Sequence, residues 1–558
     1  MIYFKLPLSP INIFQDIKIE SHPNVSQVFI SQSLCNYMND IKSKISSREK
    51  EWDFYKKYTN PYEYIHTVVP LKKKSVSKYK PISRSYFKMM EMMAEFRLDH
   101  PAAEPIQFGE TIPATSYSRE QSGFRMENVG GRGHNNSECE DVSSRANGKF
   151  CQRTETDIVG EMKGFEFQRQ KNKQTNPPIF FVDRMRTFHL AEGPGGFIEA
   201  ICNKRDNPED EYYGMTIILD ENDDNVPAWH KTSNFLSQHP NVNLEYGIDG
   251  TGNLLHIDNF EHCVKKYGSS MDLITADGGF DFSKDFNRQE ISITNLLWGQ
   301  VCYALCLQKL GGNFVLKIFD IFYRQTVDIL YILSAFYEEV NICKLKTSRV
   351  GNSEKYVVCK KFRFSSYLTF YPKIYESFLK IKSELRRDFA ISDFLLRFGH
   401  VPSYLSAQMQ MPITEEESSS SSSSSSRVHS VVGGSKGEMK NVIGANANAG
   451  IRSQMECEYN QPDPIHRLLN CDIPRHFTKT IEEINAIFGQ QQIENIHYTI
   501  SLIDKQPKQD KLEQLVKQNI TKCINWCIEH SVIYNNLVAT NVFGAKPRTD
   551  NICEGLRR

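Results

Sequence analysis

Glu192, Gly193, Pro194, Gly195 and Gly196 follow an apolar run, Phe188 to Ala191, and precede an amphipathic one that opens at Phe197. A strand, a glycine turn and a helix bring a ligand against bare backbone and against helix N–H groups. The glycines are spaced GPGG rather than GxGxxG, and Pro194 has no backbone donor, so a dinucleotide pyrophosphate fits poorly. An acid before a tight turn suits a smaller zwitterion, an amino-acid moiety whose carboxylate meets N–H groups and whose ammonium meets acceptors. S-adenosylmethionine (SAM) carries such an end; a plain structural turn is the alternative. Farther along, Asp277 (TADGGF) and Lys317 (VLKIFD) end two apolar segments, and Glu354 (GNSEKYVV) opens a third. Catalytic groups of open α/β sheets gather at strand carboxyl ends. An acid and a lysine on neighbouring inner strands are costly to bury unpaired, so the bland reading is a salt bridge.

These residues need a scaffold. From 179 to 362 apolar segments alternate with helical ones: 212–219, 242–248, 271–279, 311–320, 340–346 and 355–362 read as strands, with a helix through ISITNLLWGQVCYALCLQKL. That order predicts a mostly parallel sheet with helices on both faces, and the last two segments should pair as an antiparallel hairpin at a sheet edge. KMMEMMAEF (88–96) has helical spacing, with Met89, Met92, Met93 and Phe96 on one side.

The 558 residues exceed one ordinary core. Lys plus Arg (67) equals Asp plus Glu (67), so nucleic-acid binding would need a local patch. No run of eighteen apolar residues occurs and the start lacks an ordinary signal, so no membrane partner is expected. The fourteen cysteines contain no CxxC pair and fit reduced thiols of an intracellular protein, with cytoplasm and nucleus left open. Cys523, Cys527 and His530 share one helix face, which reads as packing before it reads as zinc; no metal is expected.

The ordered phrases SYFKMM, GPGGF, TADGGF, LKIFD and TSRVGNSEKYVVCK, with NPYE (60–63), YGMT (213–216) and YGIDGTGNL (246–254), resemble the cap-specific mRNA ribose 2′-O-methyltransferases. These are SAM-dependent enzymes of the FtsJ-like (RrmJ-type) branch. The resemblance covers about residues 55–100 and 180–365, and the low-complexity stretches are similar to those of large-DNA-virus or protist enzymes. It implies an α/β, Rossmann-like class I methyltransferase sheet, mostly parallel with an antiparallel edge hairpin, and SAM as cofactor. The implied Lys-Asp-Lys-Glu tetrad is Lys88, Asp277, Lys317 and Glu354. Implied SAM contacts are Ser83, Ala191, Glu192, Gly193, Pro194, Gly195, Gly196, Phe197, Asn253 and Leu254, and Asn352 resembles an RNA-contacting position. Many members carry Asp where Asn253 stands; an amide oxygen still meets an adenine amino group.

The implied partner is capped mRNA. Methyl transfer to a ribose hydroxyl needs alignment and a group that takes the proton or steadies the oxyanion. Lys317 fits that role with Lys88 as the neighbouring cation, while Asp277 and Glu354 orient them. LKKKSVSKYK places Lys72, Lys73 and Lys74 upstream of Lys88, a patch for phosphates. Aromatic stacking would hold a methylated guanine, with Asp281 and Phe282 as wall candidates. The expected organisation is an N-terminal segment (1–54) and a methyltransferase domain (55–365) with a flexible insertion at about 107–160. A C-terminal extension (366–412), a Ser-rich linker (413–455, including nine serines at 418–426) and a helical domain (456–558) follow. That last region is a candidate surface for other capping or transcription proteins. Competing readings are methylation of uncapped structured RNA and an idle RNA-binding subunit.

Overall fold

The structure is a computed structural model that describes residues 1–21, 27–70, 72–102, 184–218, 228–229, 231–279, 286–382 and 465–537. The insertion at 107–160, the serine run, Asp281 and Phe282 lie outside the described residues. In chain order the strands are β1 (Ile2–Lys5), β2 (Ile17–Ser21), β3 (Arg186–Leu190), β4 (Glu211–Met215), β5 (Val242–Glu245), β6 (Met271–Ala276), β7 (Gln308–Ile318), β8 (Tyr337–Lys344), β9 (Lys355–Phe362) and β10 (Ile465–Leu469). The helices are α1 (Gln32–Ser46), α2 (Glu49–Thr59), α3 (Ser85–Phe96), α4 (Gly196–Arg205), α5 (Ser233–Gln238) and α6 (Ile257–Tyr267). After them come α7 (Gln289–Ser292), α8 (Thr294–Leu307), α9 (Arg324–Phe336), α10 (Tyr371–Leu379), α11 (Arg475–Lys505) and α12 (Gln509–Glu529).

Among the described residues the main sheet runs β1-β8-β9-β7-β6-β3-β4-β5. Strands β7, β6, β3, β4 and β5 are parallel neighbours, whereas β9, β8 and β1 add antiparallel pairs. The β8–β9 hairpin pairs as its short loop requires, with β9 inserted between β7 and β8. It is not the sheet's edge, because β1 covers β8: the first residues of the chain belong to this sheet. Strand β2 pairs with β10, so the N-terminal and C-terminal regions are joined as well. Residues 308–310, read as helical, start β7 instead; Gln308 pairs with Met271 and its amide donates to the Met271 carbonyl at 2.8 Å.

The period of two along each strand splits the side chains between two cores. Phe314, Leu316, Ile318, Val357 and Cys359 face the core built with α8, α9 and α10. Val315, Tyr356, Val358 and Leu273 face the other, built with α3, α4 and α12. On α3, Met89, Met92, Met93 and Phe96 are buried there, as their spacing predicts. Continuing the alternation, Asp277 (after 273 and 275), Lys317 (after 315) and Tyr356 emerge on the α3 side. Among the described residues, no helix is long and apolar enough to cross a membrane.

Candidate active site

The chain runs β3-β4-β5 in one direction along the sheet and continues through β6 and β7 on the other side of β3, so the strand order reverses between β3 and β6. Ligands of open α/β sheets sit in the crevice at such a reversal. There, Ala191 (φ 52°) and Gly195 (φ 109°) bend the chain out of β3, and the Gly193–Pro194 peptide is cis. Gly196 has no room for a side chain: a Cβ would stand 2.1 Å from the Ser85 hydroxyl oxygen and 2.2 Å from that of Ser83. The α3 entry thus lies directly on the glycine turn, and Ser83 with it.

Glu192 shows a role that the turn's sequence does not reveal. Its Oε1 accepts from the N–H of Phe197 at 2.6 Å and of Ile198 at 3.3 Å, capping α4 from within. These two N–H groups and this carboxylate are spent on each other. Burial, and then the nearby Asp277 carboxylate, push Glu192 well above the usual carboxylate range against those two hydrogen bonds. Phe197 turns inward, fully buried near the Tyr356 ring.

Beside the turn, the backbones at the ends of β4 and β6 and the loop 246–254 close on the same crevice. Glu192 N–H donates to the Met215 carbonyl, Asp277 N–H to that of Leu190, and Ile218 N–H to that of Thr251. Gly252 (φ 64°) presses so closely that a Cβ would lie 2.0 Å from the Thr216 carbonyl oxygen. Asp249 organises this loop by accepting from the Thr251 N–H and hydroxyl and from Asn259 and His256. Asn253 is half-buried; its Oδ1 accepts from Leu255 N–H at 2.9 Å and its Nδ2 meets His256. Leu254 is buried. Trp229 packs against Gly195 and Gly214, and its indole N–H is buried with no partner among the described residues. An unspent donor beside a glycine turn, with the loop that carries Asn253 and Leu254 packed on Thr216 nearby, fits a ligand with a carboxylate at one end and a heteroaromatic ring at the other.

The four charged residues form one chain of contacts. Lys88 Nζ lies 2.8 Å from Glu354 Oε1 and donates to the Tyr356 hydroxyl at 3.3 Å. That hydroxyl donates to Asp277 Oδ1 at 2.9 Å. Asp277 Oδ1 lies 3.2 Å from Lys317 Nζ, which also donates to the Asp277 carbonyl at 2.6 Å. Lys317 and Tyr356 are cross-strand partners on β7 and β9, so the sheet register itself sets this spacing. The side chains of Lys317 and Asp277 are 12% and 18% exposed, those of Lys88 and Glu354 13% and 12%, an enclosure that still opens to solvent. Burial alone would raise Glu354, but Lys88 and then Lys317 outweigh it and hold the carboxyl well below its usual range. Burial, with Asp277 and Glu354 beside it, pushes Tyr356 far up, so it stays a neutral phenol. Gly279 leaves space over Lys317: a Cβ there would come within 3.2 Å of its Nζ.

The loop that carries Glu354 is fastened from several sides. Glu91, one turn after Lys88 on α3, accepts from the N–H of Lys346 and Thr347. Glu63, fully buried, accepts from Arg349 at 2.7 Å and Arg84 at 3.2 Å, and Asn60 accepts from Val350 N–H at 2.8 Å. Ser348 donates to Glu354 Oε1 at 2.6 Å, and Lys344 donates to the carbonyls of Asn352 and Glu354. Tyr356, Glu91 and Glu63 carry no role in the sequence reading. Glu63 and Tyr356 had a signal, their places in NPYE and in TSRVGNSEKYVVCK.

A cleft of about 290 Å³ opens next to this loop, with Trp52, Lys56, Arg349, Asn352, Gln492 and Asn495 among its walls. Asn352 is exposed there, as an RNA-contacting residue would need to be. Lys72, Lys73 and Lys74 form an exposed turn that does not line the cleft. Cys523 and Cys527 are buried, Cys523 against the Pro61 carbonyl, and His530 stacks on Trp526. Among the described residues no group of three metal-capable side chains gathers.

Residues 167–362 match the FtsJ-like methyltransferase family. A cap-specific mRNA (nucleoside-2′-O-)-methyltransferase 2 of Drosophila melanogaster is 31% identical over 194 residues, 33% of this chain and 28% of that protein. Proteins named cap-specific mRNA (nucleoside-2′-O-)-methyltransferase 1 are also similar. That of Leishmania braziliensis is 36% identical over 188 residues (32% of this chain, 45% of that protein). That of Trypanosoma brucei brucei is 42% identical over 119 residues (21% and 32%). The chain thus spans less than half the length of each of these relatives.

Proposed function

We propose that this chain, through its FtsJ-like methyltransferase domain, methylates the ribose 2′-oxygen of a cap-proximal nucleotide of mRNA with SAM as donor. The observation that carries the reading is the linked chain Glu354–Lys88–Tyr356–Asp277–Lys317 beside a strand-order reversal. The names of the similar proteins support the capped substrate.

When bound, SAM supplies an electrophilic methyl on a sulfonium. The turn 191–196, the Trp229 N–H, Thr216 and the loop at Asn253 and Leu254 would hold it, with Ser83 at the turn's outer side. Lys317 Nζ, bracketed by the Asp277 carboxylate and carbonyl and open over Gly279, would meet the ribose hydroxyl and either take its proton or steady the oxyanion, as the oxygen bonds the methyl, the methyl–sulfur bond breaks and a neutral thioether leaves. Asp277 aims Lys317. Lys88 is a second cation, reaching Asp277 through the Tyr356 phenol, and Glu354 anchors Lys88. Alignment is the larger part of the task, because methyl transfer to oxygen is an in-line displacement.

The test is to incubate the full chain with radiolabelled SAM and short RNAs, capped or uncapped, beside Lys317→Ala. Label on the ribose of capped RNA, absent with the variant, is the expected result. Equal labelling of uncapped RNA would transfer the reading to structured RNA. No label on either, with SAM still bound, would mark an idle subunit.

A further inference from the structure

Helix α11 lies far outside the region matched to the methyltransferase family, yet it borders the cleft beside Glu354. It docks by an apolar stripe: Phe477, Ile481, Ile484, Phe488, Ile493 and Ile496 are buried, the last two against α1 and beside Trp52. Within that stripe, two amides point at the site instead. Gln492 is 4% exposed and donates to the Gly351 carbonyl at 3.3 Å. Asn495 Nδ2 donates to the Thr59 carbonyl at 3.0 Å, which fixes the orientation of its amide. Asn495 Oδ1 is then a buried acceptor with no partner among the described residues. It faces Gly351, where a Cβ would stand 2.9 Å from it and 3.6 Å from the Trp52 ring. A buried acceptor left unpaired is costly, so such groups persist where something else satisfies them.

The cleft offers a half-buried indole and several amides, while its charges are mostly matched: Glu49 and Asp53 line it too, Lys56 pairs with Asp53, and Arg349 with Glu63. An indole face with amide edges suits a planar heterocycle carrying N–H donors. Asn352 and Ser353 line the cleft and Glu354 follows them directly, so its occupant would lie against the loop that carries Glu354. We infer that α11 is a substrate-binding element of the active site, in which Asn495 Oδ1 accepts from an N–H of a nucleobase stacked on Trp52 and Gln492 holds the Gly351 edge of its seat. This rests on the capped-RNA reading and adds to it that residues beyond the methyltransferase domain select the RNA end.

The test uses the full chain and a probe, the 7-methylguanosine(5′)triphospho(5′)adenosine dinucleotide, read by quenching of tryptophan fluorescence with Trp52→Phe as the assignment control. Asn495→Ala should weaken dinucleotide binding about tenfold, and raise KM for capped RNA by a similar factor, with kcat within twofold and SAM affinity unchanged. Should that variant fold poorly, Gln492→Ala reads the same effect through the seat. If the wild type methylates capped RNA and both variants bind the dinucleotide as the wild type does, the inference is overturned while the function stands. If the wild type neither binds the dinucleotide nor labels capped RNA, the function itself has failed and takes this inference with it.

Discussion

Tyr356 is the bond between two lysine–carboxylate pairs, and replacing it by Phe tests the active-site argument with little disturbance. The ring is fully buried against the core of α3 and α4, so Tyr356→Phe keeps the packing and deletes one oxygen. Asp277 Oδ1 loses a 2.9 Å donor and keeps Lys317, while Lys88 loses its 3.3 Å contact and keeps Glu354. A hydrogen bond to a charged group contributes about 1.5–3 kcal/mol. If Asp277 must be held at one orientation for Lys317 to meet the hydroxyl, that loss falls on the transition state. At about 1.36 kcal/mol per tenfold, it amounts to a drop in kcat of roughly 10- to 100-fold. The assay is single-turnover methyl transfer to capped RNA at saturating SAM, with separate measurement of SAM affinity and of KM for RNA, both expected to hold. Tyr303→Phe is the control, since its buried hydroxyl has no partner among the described residues and lies in the opposite core. A kcat within twofold of wild type, or a loss explained wholly by SAM binding, would refute the idea that the phenol couples the two pairs.

Gly252→Ala should abolish or strongly weaken SAM binding measured by calorimetry, because the new Cβ meets the Thr216 backbone oxygen at 2.0 Å from a φ of 64°; unchanged affinity would show that the loop is not part of the pocket. His189 lies fully buried between the Thr187 and Thr275 hydroxyls, and burial holds its pKa down to about 3 from 6.5. Between those values the unfolded chain binds a proton that the folded chain refuses, so stability rises with pH across this window and levels off above it. In urea titrations from pH 7 to 4, His189→Gln should lose stability less steeply than wild type; parallel slopes would contradict this.

The organisation of the sheet was largely legible in the residues. Runs such as YVVCKKF and ITADGG are apolar because inner strands are covered on both faces, and β9 begins at Lys355 and ends at Phe362 as its pattern predicts. Strand ends were less legible. Residues 216–218 continue the apolar run of β4 but leave the sheet, because β5 offers pairing only as far as Glu245, opposite Met215. The first residues showed no clear pattern, since β1 is a short edge strand whose partner lies more than three hundred residues away.

For the site, the sequence by itself determined the chemical types: a glycine turn after a strand, and an acid and a lysine at strand ends, with Lys88 joined to them by resemblance. Which atoms meet was decided by tertiary structure. The alternation of side chains carries Asp277, Lys317 and Tyr356 to one face, and α3 lies across that face because Gly196 admits it. Glu192, placed by its sequence beside a ligand, caps its own helix because burial demands a partner closer at hand. Nor does local pattern connect Asn60 and Glu63 to Val350 and Arg349, or α11 to Gly351. Such contacts join segments hundreds of residues apart, and the spacing of neighbours along a chain records only which faces of an element are apolar, not what those faces will meet.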